Sequence, residues 1–334
     1  MLNTRTGGYP AAHEGRNGAY FPDAVVAPFV AEAQRIGPLQ SSSPADTGRC
    51  FSLEESKALI IEAMNEFDPK LGIKAAEILS AASFNNTAKS RSEDNPYLAD
   101  EYKLPDMKDA RWNLMEVAPG QSQLMRCLPA QSEPKDYGDG MGHDPANENP
   151  YAVIEYQFDG TIDGVIHMAH EMGHMIADDR QREAGYTYKD NPEHLKETQA
   201  YFTQSILYNH LMRHEDVEIA AAARGHYAAT MQQSIHELSD PERLHDRPMS
   251  LLSAAALVEH LQGQDLYVRQ RAGEMLQGAA GPKNISEVLA AAGIERNGDM
   301  KKLAVSVIGN AVENRPDPYR APSARPPQGG MNLV

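Results

Sequence analysis

Hydrophobic positions recur at helical spacing along most of this chain, and the breaks between them are sharp. Ser52-Leu53-Glu54-Glu55 is a capping-box pattern, followed by a helical run to Phe67 that Asp68-Pro69 stops. Leu71 to Ser83 predicts a second helix, with Ile73, Ala76, Ile78 and Leu79 near one face. A polar loop from Asn85 to Lys108 comes next, then strand-like stretches Trp112–Val117 and Gln123–Leu128 about a Pro119-Gly120 hairpin turn. Glu133 to Pro150 is rich in turn residues. Tyr151 to Phe158 alternates apolar and polar positions and is the clearest strand pattern. Beyond Ile162 nearly everything reads as helix. The expected fold is mainly α with a small β-sheet beside the helix that carries the richest chemistry.

Composition changes the picture at the ends. Residues 1–48 are dense in Gly, Pro and Ser with one apolar stretch, Ala24 to Val30, and are expected to be a disordered leader. The Pro/Gly-rich stretch 315–334 is expected to be a disordered tail, which leaves 49–314 as one catalytic-sized domain. The formal charge of −16 opposes nucleic-acid phosphates and anionic lipid, so no nucleic-acid partner is expected. No apolar run is long enough for a membrane span, and Met1 to Pro10 has no apolar signal-peptide core. Cys50 and Cys127 cannot form a disulfide framework, and a reducing compartment is expected.

The chemistry concentrates in His167-Met168-Ala169-His170-Glu171-Met172-Gly173-His174. Four residues apart on a helix, His170 and His174 project one turn apart from one face and can hold one metal ion. Glu171 stands beside the first of them, in the H-E-x-x-H pattern of zinc peptidases. Zinc takes neutral imidazole and keeps an open position for water, whose proton a neighbouring carboxylate can accept. Val165, Ile166, Met168, Ala169, Met172, Met175 and Ile176 make the rest of this helix apolar, so its polar groups need partners. Glu197 is the expected third ligand, on the next helix. Glu193, His194, Asp178 and Asp179 compete for that place, and His167 reads as a supporting histidine rather than a fourth ligand.

Three segments together resemble the thimet oligopeptidase and oligoendopeptidase F family of zinc metallopeptidases. The first is Pro150 to Thr161 with Val165 and the His170-Glu171-Met172-Gly173-His174 core: strand, Gly-Thr turn, then H-E-x-G-H helix, in the family's order. The second, Glu197 to Gln204, is similar to the family's zinc-glutamate helix, with Phe202 at the matching aromatic position. It departs at Ala200, where the family has serine, and at Gln204, where oligoendopeptidases have glutamate. The third is His260 with Leu266 to Gly273, where Arg269 and Arg271 replace two family tyrosines. The resemblance implies a zincin-like, thermolysin-type fold and one Zn2+ per chain on His170, His174 and Glu197. It also implies Glu171 as general base and His260 and Tyr267 as oxyanion stabilisers. Family members have a long helical half ahead of the catalytic half, and here that part is much reduced.

The function expected from residues and resemblance together is hydrolysis of peptide or protein substrates by zinc-activated water. The edge of the Tyr151–Phe158 strand offers a place for an extended peptide to add. A protease exported without a signal peptide into a host cell, a zinc-binding interaction module and a zinc hydrolase of another bond type are the alternatives. Cytoplasmic action, in the producing cell or a host, is the expected location.

Overall fold

Phe21, Val25, Phe29 and Ala33 lie four residues apart, and Asp23–Ile36 forms a helix, α1, that buries this stripe. Nine more helices follow among the described residues. They are α2 (Leu53–Phe67), α3 (Pro69–Ser80), α4 (Ile162–Glu183), α5 (Glu193–Leu211), α6 (Val217–Ser239), α7 (Asp246–Gln262), α8 (Leu266–Leu276), α9 (Ile285–Ala291) and α10 (Asn297–Glu313). The computed structural model describes residues 21–37, 49–80, 160–184, 193–239, 246–278, 284–294 and 297–313, apart from individual side chains, and the backbone of 82–84, 112–114, 123–127 and 154–158.

α1 corrects the expected leader. Within 1–48, residues 21–37 are built into the core, where α1 packs against α10, α6 and α7. Gly37, at φ 77°, ends the helix with its N–H on the carbonyl of Ala33. The expected tail, 315–334, lies outside the described residues.

The capping box forms as the sequence predicts: Ser52 Oγ accepts from the Glu55 N–H at 3.1 Å, and Glu55 accepts from the Ser52 N–H at 3.4 Å. α3 stops at Ser80 and buries Leu71, Ala75, Ile78 and Leu79, whereas Ile73 is exposed. Its inward face is therefore rotated from the expected one.

The expected fold class is overturned. Wherever side chains are described, the regular structure is helix. Four short backbone segments, Ala82–Phe84, Trp112–Leu114, Gln123–Cys127 and Ile154–Phe158, run as neighbours in chain order, with no side chain of theirs described. The packed body is thus all-α rather than mainly α with a sheet, and neither a zincin-like nor a thermolysin-type architecture is shown. The physical reason lies in the amino acids: nearly all the described apolar residues that close the core, from Val25 to Ala311, sit on helix faces. Among the described residues no helix is long and apolar enough to cross a membrane.

At the centre α4 packs on α5, and α5 packs in turn on α7 and α2. Gly173 sets the α4–α5 separation. A Cβ there would lie 2.3 Å from Thr203 Oγ1 and 2.7 Å from the Cα of Ala200, so only glycine permits the approach. Thr203 seals it by donating to the Ala169 carbonyl at 2.7 Å.

Candidate metal centre

Thr161 caps the start of α4, its Oγ1 accepting from the Gly164 N–H at 3.1 Å. The following turns bury Val165, Ile166, Met168, Ala169, Met172, Met175 and Ile176, as their apolar character requires. That orientation carries His170 and His174 inward, where both are buried. The close approach at Gly173 brings Glu197, in the second turn of α5, over the two rings.

Ligand atoms of His170, His174 and Glu197 all lie within 4.8 Å of one another. His170 Nε2 is 3.7 Å from Glu197 Oε2, and His174 Nε2 is 3.8 Å from Glu197 Oε1. These separations are too long for hydrogen bonds. They are close to the roughly 3.3 Å between ligand atoms that tetrahedral coordination at about 2.05 Å would require. The donor set, two imidazoles and a carboxylate, suits zinc. Burial, followed by the positive potential of His174, pushes the His170 pKa down to about 3, which keeps the ring in the neutral form a metal needs. His174 Nδ1 is buried without a hydrogen-bond partner among the described residues.

The competing ligands separate. Asp179 pairs with Lys74 of α3 at 2.5 Å. The side chains of Asp178, Glu193 and His194 lie outside the described residues. His167 turns to Glu171, its Nε2 3.0 Å from Glu171 Oε1. Burial raises the Glu171 pKa, but the His167 bond and the neighbouring histidines outweigh it, and the carboxyl ends below its ordinary range. Glu171 is therefore ionised at neutral pH, as a base must be.

The structure does not bring His260 or Tyr267 to this cluster. α7 runs alongside α5 in the same direction: Arg247 binds Tyr201, and further on Ala255 and Val258 share a cavity with Ser205 and Asn209. His260 is thirteen residues beyond Arg247, roughly 20 Å at the helical rise, with its Nε2 2.9 Å from the Ala292 carbonyl oxygen. Tyr267 is 71% exposed in the first turn of α8. α8 meets α5 at Gln199 and Phe202, on the side turned away from Glu197. Arg269 and Arg271 share that distant helix, so their replacement of family tyrosines does not touch the cluster.

Two residues that sequence reasoning missed stand in their place. Tyr201, one turn beyond Glu197, packs edge-on against the His170 ring with centroids 4.6 Å apart. Its hydroxyl accepts from Arg247 Nε at 2.8 Å. Gln204, noticed in the sequence as a departure, places its Oε1 3.1 Å from His170 Nδ1. The spacing of Glu197, Tyr201 and Gln204 at helical intervals was the available signal. No family model, curated protein or solved structure matches this chain.

Proposed function

We propose that the chain is a zinc-dependent metallopeptidase with one metal ion on His170, His174 and Glu197. The observation that supports this most is the convergence of three buried or half-buried donors at coordination spacing, with an ionised glutamate adjoining them. Zinc held there supplies Lewis acidity, which acidifies water and polarises a scissile carbonyl. Glu171 accepts the proton and passes it to the leaving amine, and His167 holds its carboxylate meanwhile. Tyr201 and Arg247, rather than His260 and Tyr267, are the donors beside the triad and take the task of steadying the developing oxyanion. Substrates are peptides or exposed segments of proteins.

The test is metal content and hydrolysis of a mixed peptide library, with and without a chelator. One zinc per chain and chelator-sensitive cleavage are expected. Glu171→Gln should keep the zinc and lose turnover by about 10²-fold or more. Full turnover in Glu171→Gln would refute the mechanism, and zinc binding without any cleavage would reduce the protein to a metal-binding module.

A further inference from the structure

A cavity of about 360 Å³ opens where the second half of α5 meets α6, α7 and the end of α10. Its first residue on α5, Ser205, stands eight positions beyond Glu197, roughly 12 Å at the helical rise, so the cavity is separate from the metal centre. Ligand pockets span roughly 300–1,000 Å³, and a volume near the lower end suits one small molecule.

The wall carries one charge of each sign. Arg224 of α6 donates from Nη1 to the Met212 carbonyl at 2.6 Å, which ties the guanidinium to the end of α5. Its remaining N–H groups meet no acceptor among the described residues. Glu259 of α7 is held from α10, where Ser306 Oγ donates to Oε1 and Asn310 Nδ2 to Oε2, the latter at 3.2 Å. Each carboxylate oxygen keeps a lone pair for a further donor. No ion pair joins Arg224 and Glu259, so neither charge neutralises the other.

The rest of the lining is mixed. Ala255, Val258 and the Tyr208 ring supply apolar surface, while the Tyr208 hydroxyl is already engaged, 2.5 Å from His226 Nδ1 and 3.4 Å from Thr230 Oγ1. Burial, and then the negative charge of Glu259, raises the Tyr227 pKa, so its hydroxyl stays protonated and able to donate. Ser205 is buried, and its Oγ is the one buried side-chain atom of the lining without a hydrogen-bond partner. A buried hydroxyl is costly to leave unmet, and a ligand atom that pairs with it recovers that cost.

We infer that this cavity is a second binding site, which takes a small zwitterion: a free α-amino acid or dipeptide with an apolar side chain, its carboxylate on Arg224 and its ammonium group on Glu259. An anion or a cation alone would satisfy one charged wall group and leave the other, and a purely apolar molecule would leave both. Peptide hydrolysis as proposed above releases products of this class, but the site stands whether or not the chain is a peptidase.

The experiment is titration calorimetry of the full chain with L-leucine, L-phenylalanine and L-leucyl-L-leucine, before and after chelator treatment, because amino acids also chelate zinc. 4-Methylpentanoate and 3-methylbutylamine, which are leucine without its amine and without its carboxylate, are the comparison ligands. At least one zwitterion should bind saturably at one site per chain, equally in stripped protein, and both truncated analogues at least about 10-fold more weakly. Glu259→Gln should weaken binding about 10-fold, and Arg224→Gln, at an exposed position, severalfold. Ser205→Ala should weaken it severalfold without lowering the thermal midpoint, because the hydroxyl it removes has no partner in the free protein. Arg224→Gln, on the surface, decides the matter should Glu259→Gln loosen α7 from α10. No saturable binding of any zwitterion to wild type overturns the inference. So does binding that is lost with the metal, equal binding of either truncated analogue, or wild-type affinity in both charge variants.

Discussion

The two sides of α5 use polar residues in opposite ways. One side carries Glu197, Tyr201, Gln204 and Tyr208, and each meets a group on α4, α6 or α7. The other carries Phe202, Ile206 and His210 toward α2 and α8. There the polar contacts sit at the rim: His210 Nδ1 is 2.6 Å from Glu66, with Arg213 alongside at 3.3 Å. With Glu66 and Arg213 both more than half exposed, ion pairs of this kind contribute little, about 0–1 kcal/mol. Histidine and glutamate occur on both sides, so residue type does not distinguish a site from a surface ornament. What distinguishes them is burial and convergence: His170 and His174 are buried and meet Glu197 at one point, whereas the Glu66 that His210 meets is half exposed.

Mutating across that divide gives the largest contrast. His174→Ala and Glu197→Ala should strip the metal, with affinity down by orders of magnitude in metal analysis after gel filtration. His210→Ala should leave metal content at one per chain and cost under about 1 kcal/mol in urea unfolding. Metal loss in His210→Ala would erase the distinction.

The next effect is mechanical. Gly173→Ala would put a methyl group against Thr203 and Ala200 and push α4 from α5. A loss of about 1–3 kcal/mol is expected in denaturant unfolding, with weaker metal binding in parallel. Stability at the wild-type level would mean the helices tolerate a wider gap than their contacts imply.

A smaller effect follows from His170. Its pKa stands at about 3 in the fold against an ordinary 6.5, so the unfolded chain binds a proton that the fold refuses. This group's contribution is therefore complete above about pH 6.5 and fades as pH falls toward 3, by up to ~1.4 kcal/mol per pH unit. Urea titrations of chelator-stripped protein at pH 7 and pH 5 measure it, and equal midpoints would show that the ring is not desolvated. Least of all, Tyr267→Phe should change neither metal content nor turnover. A fall in turnover there would place α8 at the active site after all.

The clustering of the candidate ligands was legible because helical spacing is a strong rule: His170 and His174 follow from their interval, and Glu197 from its position near the start of the next helix. Tyr201 and Gln204 obey the same intervals but their residue types carry no metal chemistry of their own. Arg247 and His226 were illegible, since only tertiary packing brings α7 and α6 to α5. His260 and Tyr267 came from resemblance of a short segment, and resemblance carries no information about which face of a neighbouring helix that segment meets. α2 was legible to the residue from its capping box and the Asp68-Pro69 stop. α1 was obscured by Pro28 inside it and by Gly and Pro around it, although its buried stripe is written plainly in Val25, Phe29 and Ala33. The mainly α fold with a sheet failed as an expectation because alternation over a few residues sets only a local backbone pattern, while the described apolar core is closed by helices.

The seat of α1 against α10 has a consequence for how the chain reaches its fold. These helices stand near opposite ends of the described sequence, yet each covers part of the other's apolar face. A contact that spans so much chain raises contact order, and closing this part of the core requires α10, the last of the described helices. The entropy of closing so long a loop grows slowly, by about 0.6 kcal/mol for each doubling of length, so the span bears on rate far more than on equilibrium. Phe29 and Ile308, both fully buried, belong to the core that this contact helps to close. The candidate metal cluster depends instead on α4 and α5, neighbours in sequence, so its contacts span far less of the chain than the clasp of α1 on α10.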